Sequence, residues 1–219
     1  SNSSYFSDIN NTGKRRMQGH MVKLGMDYAP DKQNIFGVSF SYRDSKRGRS
    51  DIGSSREFDP VGVLTSDYFN TVSSDDKGYN FDINANYTKR FKIPQQVLSA
   101  EFSFSRDNDK DMTNTFDTYI TPVNQTPSNR NEIENEIDDS YSAQLDYVHP
   151  FTKDSKLETG YRGTYKKRDD DFTVEKFDYA LNRFMIDYNS SNRFIYKEQI
   201  HGAYAIFTQQ LGSFGFSLG

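Results

Sequence analysis

The most constraining feature of the sequence is a strict alternation of apolar and polar residues that recurs in about eight segments. In the stretch YNFDINANYT, from Tyr79 to Thr88, every odd-numbered residue is apolar and every even-numbered residue is Asn, Asp or Thr. Successive side chains of a β-strand point to opposite faces of a sheet, so this period of two predicts a strand with one apolar and one polar face. The pattern recurs at residues 22–28, 36–42, 98–104, 141–147, 157–165, 200–206 and, in shortened form, 214–218.

The connections between these predicted strands alternate between short and long. Short turns at residues 29–34, 91–96, 151–155 and 210–213 contain turn formers such as Pro30 and Gly212. Three long polar segments separate the hairpins: Asp44–Lys77, Asp107–Glu136 and Arg168–Lys197. Parts of these segments could extend the strands, namely 67–72, 115–123 and 172–187. Short turns at one end and long loops at the other are typical of an outer-membrane barrel.

The predicted fold is therefore all-β: an antiparallel up-and-down meander of about eight strands, forming a segment of a transmembrane β-barrel. No apolar run approaches the ~20 residues of a membrane-spanning helix. A soluble β-sandwich, with the apolar face turned inward, is the alternative. Several tyrosines lie near the predicted strand ends, for example Tyr28, Tyr42 and Tyr147. A membrane interface provides partners for their hydroxyl groups, which favours the barrel.

The alternation assigns side chains to the two faces of the predicted barrel wall. An Arg or Lys turned toward lipid at mid-depth costs about 2–4 kcal/mol, so the charged face should line the lumen. The lumen-facing candidates are Lys23, Asp82, Asn84, Glu101, Asp146, Glu158 and Arg162. The lipid-facing candidates are Phe36, Phe40, Phe81, Ile83, Phe102, Phe104, Leu145 and Leu157.

The sequence predicts no enzyme, no cofactor and no metal site. The chain has no cysteine, and its three histidines lie in separate segments, at His20, His149 and His201. Asp107–Asp111 resembles the start of a calcium loop, but Met112 and Thr118 stand where an EF-hand needs a glycine and an acidic ligand. The segment is predicted to be a solvated loop tip. The net charge of −4, without a concentrated basic face, predicts no nucleic-acid partner.

Four stretches carry a family resemblance: KLGMDYAPDKQNIFGVSFSY (23–42), YNFDINANYTKRF with QQVLSAEFSFSRDND (79–109), QLDYVHPFTKDSKLETGYRG (144–163) and FIYKEQIHGAYAIFTQQLGSFGFSLG (194–219). They resemble barrel strands of TonB-dependent outer-membrane receptors, most of all the Bacteroidetes-type outer-membrane β-barrel family. The resemblance implies a barrel of about twenty-two strands in the bacterial outer membrane, closed by a plug domain. It also implies outer-membrane lipid, TonB, the plug and an unidentified ligand as partners.

The plug and the TonB-contacting segment are not seen in the sequence, and the last strand is short. We therefore expect residues 1–219 to be a single partial barrel domain excised from a longer chain, with Ser1-Asn2 as the remnant of a cleaved tag. In plain buffer such a fragment should curl to cover its apolar face, self-associate or require detergent. The function implied is nutrient uptake through the barrel. The alternative is a soluble or surface-attached β-sandwich that binds carbohydrate or protein through long loops.

Overall fold

The computed structural model describes residues 6–219, which form nine β-strands in one antiparallel sheet. The strands are β1 Phe6–Tyr28, β2 Asn34–Phe58, β3 Leu64–Arg90, β4 Val97–Thr121, β5 Ser128–Thr152, β6 Ser155–Asp178, β7 Arg183–Ile186, β8 Asn192–Leu211 and β9 Phe214–Leu218. Each strand pairs with its neighbour in the order β1 to β6, β8, β9, and β7 pairs with β6. Within residues 6–219 there is no helix that is long and apolar enough to cross a membrane.

The predicted all-β antiparallel meander is confirmed. The eight predicted strands correspond to β1–β6, β8 and β9, and the four short turns connect them where expected. The four-residue strand β7 was not predicted. It forms a short hairpin on β6 in which Phe177 lies opposite Phe184, with ring centroids 5.2 Å apart.

The prediction of long loops at the other end of the sheet was wrong. The strands β1–β6 and β8 are 20 to 27 residues long, so the polar segments continue the hairpins. Short turns join β2 to β3 and β4 to β5, whereas residues 179–191 between β6 and β8 include β7. Of the suggested extensions, 67–72 lies within β3, 115–123 lies in β4 as far as Thr121, and 172–187 is divided between β6 and β7. The hydrogen-bond ladder between two strands is formed by backbone N–H and C=O groups and does not require particular side chains. The pairing can therefore continue into segments whose residues are polar on both sides.

The tip of the β2–β3 hairpin shows how these long strands reverse. The carboxylate of Asp59 accepts hydrogen bonds from the backbone N–H groups of Val61 and Val63, at 3.0 and 2.8 Å. Gly62 adopts a φ of 84°, a left-handed conformation that glycine reaches without steric cost. Two backbone hydrogen bonds close the same turn, from Asp59 N–H to the Val63 carbonyl at 2.9 Å and from Gly62 N–H to the Asp59 carbonyl at 3.0 Å.

Both faces of the sheet are open in the described residues. Val174 is the one buried apolar residue there, with 3% of its surface exposed. All the described strands belong to the same sheet, and β1 does not pair with β9, so the sheet is neither closed nor covered by a second sheet. The two packed layers expected of a β-sandwich are therefore not formed.

Candidate functional site

The register of the sheet separates the two predicted sets of side chains completely. Cross-strand partners lie on the same face of a sheet. Ile83 lies opposite Phe40 on β2 and opposite Phe104 on β4, whereas Asp82 lies opposite Ser41 and Ser105. Followed from strand to strand, all eight lipid-facing candidates share the face of Ile83, and all seven lumen-facing candidates share the face of Asp82. We call these the apolar face and the polar face.

Aromatic pairs connect neighbouring strands on the apolar face. Phe36 stacks on Tyr87 with ring centroids 4.6 Å apart, and Phe104 stacks on Tyr141 at 4.5 Å. Phe81 meets the edge of Phe104 at 5.3 Å. No other part of the described chain covers this face, and Leu145 is 48% exposed. The apolar face is therefore a continuous, solvent-accessible apolar surface.

The strand β8 departs from the predicted assignment of faces. The alternation at residues 200–206 predicts that the even-numbered residues Ile200, Tyr204 and Ile206 form its apolar side. Their partners on β6 are Thr164, Gly160 and Glu158, which belong to the polar face. The apolar face of β8 instead carries Ala203, Ala205 and Phe207. Both halves of the alternation in this segment are largely apolar, so the sequence alone did not fix its orientation.

Three of the predicted lumen residues converge on one depression of the polar face. Asn84, Glu101 and Arg162 line a hollow of about 420 Å³, together with Gln144 on β5. Its lining is rich in amide, hydroxyl and charged groups. Such a surface offers hydrogen bonds to water or to a polar solute.

The remaining lumen candidates lie elsewhere on the polar face. Asp82 accepts a hydrogen bond from the Ser41 hydroxyl at 2.7 Å. Asp146 accepts one from the Tyr204 hydroxyl at 2.8 Å. The Lys156 ammonium group lies 2.8 Å from Glu158. Lys23 occupies the polar face of β1, opposite Ser41.

An acidic strip crosses the polar face further from the short turns. It consists of Asp109, Asp111, Glu134, Glu136 and Asp170, on β4, β5 and β6. Carboxylate oxygens of Glu134, Glu136 and Asp170 lie within 4.8 Å of one another. The sequence predicts a loop tip at Asp109 and Asp111, but both residues lie within β4. Their sequence distance from β5 and β6 hid the convergence, which only the strand register reveals.

The electrostatics of the acidic strip follow from crowding of like charges. These residues lie more than about 11 positions from the short turns, beyond the length that a strand needs to span a membrane. Partial burial and the nearby carboxylates raise the pKa of Asp111 and of Glu134. The pKa of Glu136 is raised by burial and by a hydrogen bond with Asp138. Asp138 itself has a lowered pKa because Arg168 donates hydrogen bonds to it.

Arg168 balances part of this negative charge. Its Nη2 lies 2.6 Å from Asp138 and 3.0 Å from Glu136, so one guanidinium group bridges two carboxylates. The Asp170 Oδ1 atom is buried and has no hydrogen-bond partner. Arg168 thus neutralises part of the negative charge at one end of the acidic strip. Around Glu134, at the other end, the carboxylates repel one another.

All three histidines lie on the apolar face, on the opposite side of the sheet from the acidic strip. His149 lies opposite Leu157 and His201 lies opposite Gly163, both on the apolar face. The Tyr161 hydroxyl is 2.6 Å from His201 Nδ1. His20 contacts Asp44 at 3.2 Å, on the same face of β1 and β2.

The sheet is an antiparallel meander with one apolar face and one wet, charged face. This is the architecture of a wall of a transmembrane β-barrel. Comparison with known families agrees. The model of the Outer membrane protein beta-barrel family matches residues 89–219. The chain belongs to this family, whose members lie in the bacterial outer membrane. No curated protein sequence matches the chain.

The similarity to solved structures is distant. The ferric yersiniabactin uptake receptor FyuA from Yersinia pestis is 9% identical, with a TM-score of 0.43 over 90% of this chain and 36% of that chain. The ferric citrate transporter FecA, in its unliganded form, is 12% identical, with a TM-score of 0.37 over 92% of this chain and 34% of that chain. The chain thus spans about a third of the length of either protein. Similarities this distant do not bear on function.

Proposed function

We propose that this chain forms part of the barrel wall of a TonB-dependent outer-membrane receptor that takes up a nutrient. The apolar face contacts lipid, and the polar face lines the lumen through which the nutrient passes. A plug domain and TonB act as partners of the complete protein, and substrate passes when the plug is rearranged. The sequence resemblance to the Bacteroidetes-type family supports this narrower assignment. The residues of the chain are given no catalytic role.

The observation that carries the proposal is the separation of the two faces over a membrane-sized length. A transmembrane strand needs about 9–11 residues. The alternation on β3, from Tyr79 to Tyr87, ends close to the short turn after Arg90. Beyond Tyr79 the apolar face turns polar, with Lys77 and Asp75. The apolar band therefore has the height of a bilayer core and adjoins the short-turn edge of the sheet.

The assignment of faces is tested by two adjacent residues of β4. Phe102 lies on the apolar face and Ser103 on the polar face, and the 219-residue chain has no natural cysteine. The complete natural protein, carrying Phe102→Cys or Ser103→Cys, is labelled with a fluorophore and reconstituted with brominated lipid. The brominated lipid should quench the fluorescence of the label in the Phe102→Cys variant and should leave the fluorescence in the Ser103→Cys variant nearly unchanged. Stronger quenching at Ser103→Cys would mean that the faces are reversed.

The dependence on TonB requires a test in intact cells. The complete protein should form cross-links with TonB, and its natural gene should encode a signal peptide and a plug upstream and further strands downstream. If the complete gene encodes no plug and its product forms no cross-links with TonB, the protein is an outer-membrane barrel of another class. This outcome would not alter the assignment of the two faces.

A further inference from the structure

A belt of cationic side chains runs along the apolar face just beyond the apolar band. Counted from the strand end at the short turn, such residues occur 12 to 14 positions along each long strand except β5, two of them on β1 and one on each of the others. The strand register places all of them on the apolar face. The belt consists of Lys14, Arg16, Lys46, Lys77, Lys110, Lys167 and Lys197.

Like charges in this belt lie directly opposite one another. Lys77 pairs with Lys46 on one side and with Lys110 on the other, in adjacent strands. Lys167 likewise lies opposite Lys197. Directly opposed like charges destabilise a sheet. An arrangement repeated over three adjacent strands therefore calls for an anion that compensates it.

The chain itself does not supply that anion to the three central lysines. In residues 6–219, no carboxylate oxygen lies within 4.0 Å of the ammonium group of Lys46, Lys77 or Lys110. All three lysines are exposed. Asp75, on the same face, lies opposite Gly48 and pairs with none of them. The belt therefore presents unpaired positive charge to its surroundings.

The strand β5 differs from the other long strands at this level, because it carries an acidic residue in place of a cationic one. At the equivalent place, 13 positions before Thr152, it carries Asp139. Arg106 binds this carboxylate through two hydrogen bonds, of 2.5 and 2.8 Å. Asp139 is thus neutralised by Arg106 and not by the belt lysines. On β6, Asp169 lies on the same face 14 positions from Ser155, where Arg193 is 2.8 Å and Lys167 is 3.9 Å from it. The unpaired charge of the belt is therefore that of Lys46, Lys77 and Lys110.

We infer that this belt binds the phosphate groups of phosphorylated lipid head groups at the membrane surface. The inference rests on the proposed function, because it requires the apolar face to contact lipid. A strand spans the apolar core in about 9–11 residues, so positions 12 to 14 lie at the level of the head groups. Lysine stems pack along apolar surface while the ammonium groups reach the phosphates. Charge complementarity and continuity with the apolar band select lipid as the occupant.

The test compares two double variants that remove the same charge from opposite faces. Lys46→Gln with Lys110→Gln removes two of the three unpaired belt lysines. The control, Arg47→Gln with Lys166→Gln, removes two cations from the polar face. Each complete protein is reconstituted in phosphatidylcholine vesicles, and electron spin resonance measures its selectivity for spin-labelled phosphatidic acid over spin-labelled phosphatidylcholine.

The belt variant should lose about fivefold in this selectivity, with the control close to the unaltered protein. Equal losses in both variants would show an effect of net charge and overturn the inference, as would no loss in either. The brominated-lipid measurement at Phe102→Cys and Ser103→Cys, made on the same preparations, separates the two proposals. Quenching at Phe102→Cys without a loss of selectivity in the belt variant refutes the belt alone. Quenching at Ser103→Cys refutes both.

Discussion

Arg106 and Asp139 form a two-point ion pair between β4 and β5 on the apolar face of the sheet, with Nε–Oδ1 at 2.5 Å and Nη2–Oδ2 at 2.8 Å. The pair lies directly above the stacked rings of Phe104 and Tyr141. The Asp139 side chain is only 10% exposed, whereas that of Arg106 is 39% exposed. The pair places a neutral, hydrogen-bonded unit at the edge of an otherwise apolar band.

Removing the arginine alone should therefore destabilise the protein. Breaking a buried pair costs about 3–5 kcal/mol, and solvent screening around the exposed guanidinium lowers this to roughly 1–3 kcal/mol for Arg106→Gln. The free energy of unfolding of the complete barrel in detergent measures the effect. The double variant Arg106→Leu, Asp139→Leu serves as control and should recover most of the loss. A single variant as stable as the original protein would show that Asp139 does not depend on Arg106.

Two glycines of the polar face provide a matched pair for packing. A Cβ added to Gly160 would collide with the ring of Tyr204 and the carboxylate of Asp146, whereas nothing lies within 4 Å of a Cβ at Gly202. Gly160→Ala should displace Tyr204 from its 2.8 Å hydrogen bond to Asp146, at a cost of about 1–3 kcal/mol. Gly202→Ala should be neutral or slightly stabilising. Equal unfolding temperatures for the two variants would contradict the close packing of Tyr204 against Gly160.

The carboxylate of Asp59 should add to the stability of the β2–β3 hairpin tip, beside two backbone hydrogen bonds. Asp59→Ala removes the acceptor for the N–H groups of Val61 and Val63, and should cost about 1 kcal/mol. Asp59→Asn retains an acceptor oxygen and should cost less. Hydrogen exchange of the two amides reports the change directly: exchange should be faster in the alanine variant. Unchanged protection there would show that the turn is held by its backbone alone.

The acidic strip predicts a dependence of stability on pH. The pKa values of Glu134 and Glu136 are raised in the folded state, so the folded protein binds more protons than the unfolded chain just above their ordinary pKa near 4.5. Their contribution to stability is fully present below that pKa and is lost as the pH rises through the raised values. Lowering the pH from neutral toward 5 should therefore increase stability through these two residues.

A variant experiment separates this effect from the other carboxylates. Glu134→Gln should raise stability at neutral pH and flatten the profile, because it removes one of the crowded charges. Glu132→Gln is the control, since Glu132 lies on the same face of β5 and pairs with Arg130 at 3.0 Å. Asp138 works in the opposite direction, because its pKa is lowered by Arg168. Identical profiles for Glu134→Gln and the unaltered protein would contradict the prediction.

The sequence predicted the parts of the fold in which the pattern of apolar and polar side chains indicates the backbone conformation. Phe81, Ile83 and their polar neighbours alternate strictly, so the strand and its two faces could be derived from the sequence. The outer halves of the strands have polar residues on both sides, as at Ser73 and Ser74, and no pattern distinguishes a strand from a loop there. In β8, both Ile200 and Ala203 are apolar although they lie on opposite faces. The sequence therefore predicted the two faces of this strand the wrong way round.

The site residues that escaped prediction depend on contacts between distant strands. Glu134, Glu136 and Asp170 meet only because β5 and β6 pair in one particular register. The cationic belt likewise exists only once Lys46, Lys77 and Lys110 are known to lie side by side. In the sequence these lysines are separated by about thirty residues and have acidic residues near them, so they gave no sign of a basic surface.

The open sheet predicts how the 219-residue chain behaves without lipid. In the described residues, Phe102 and Leu145 are 45% and 48% exposed, and the chain has not curled to cover them. Burying one such side chain gains about 1.5–3 kcal/mol, and the outer edges of β1 and β9 are unpaired templates for further strands. We therefore expect the chain to associate in detergent-free buffer and to disperse in detergent. Light scattering with and without detergent measures the effect. A monomer in plain buffer that keeps the apolar face exposed would show that this face does not require lipid, and the assignment of faces would then be wrong.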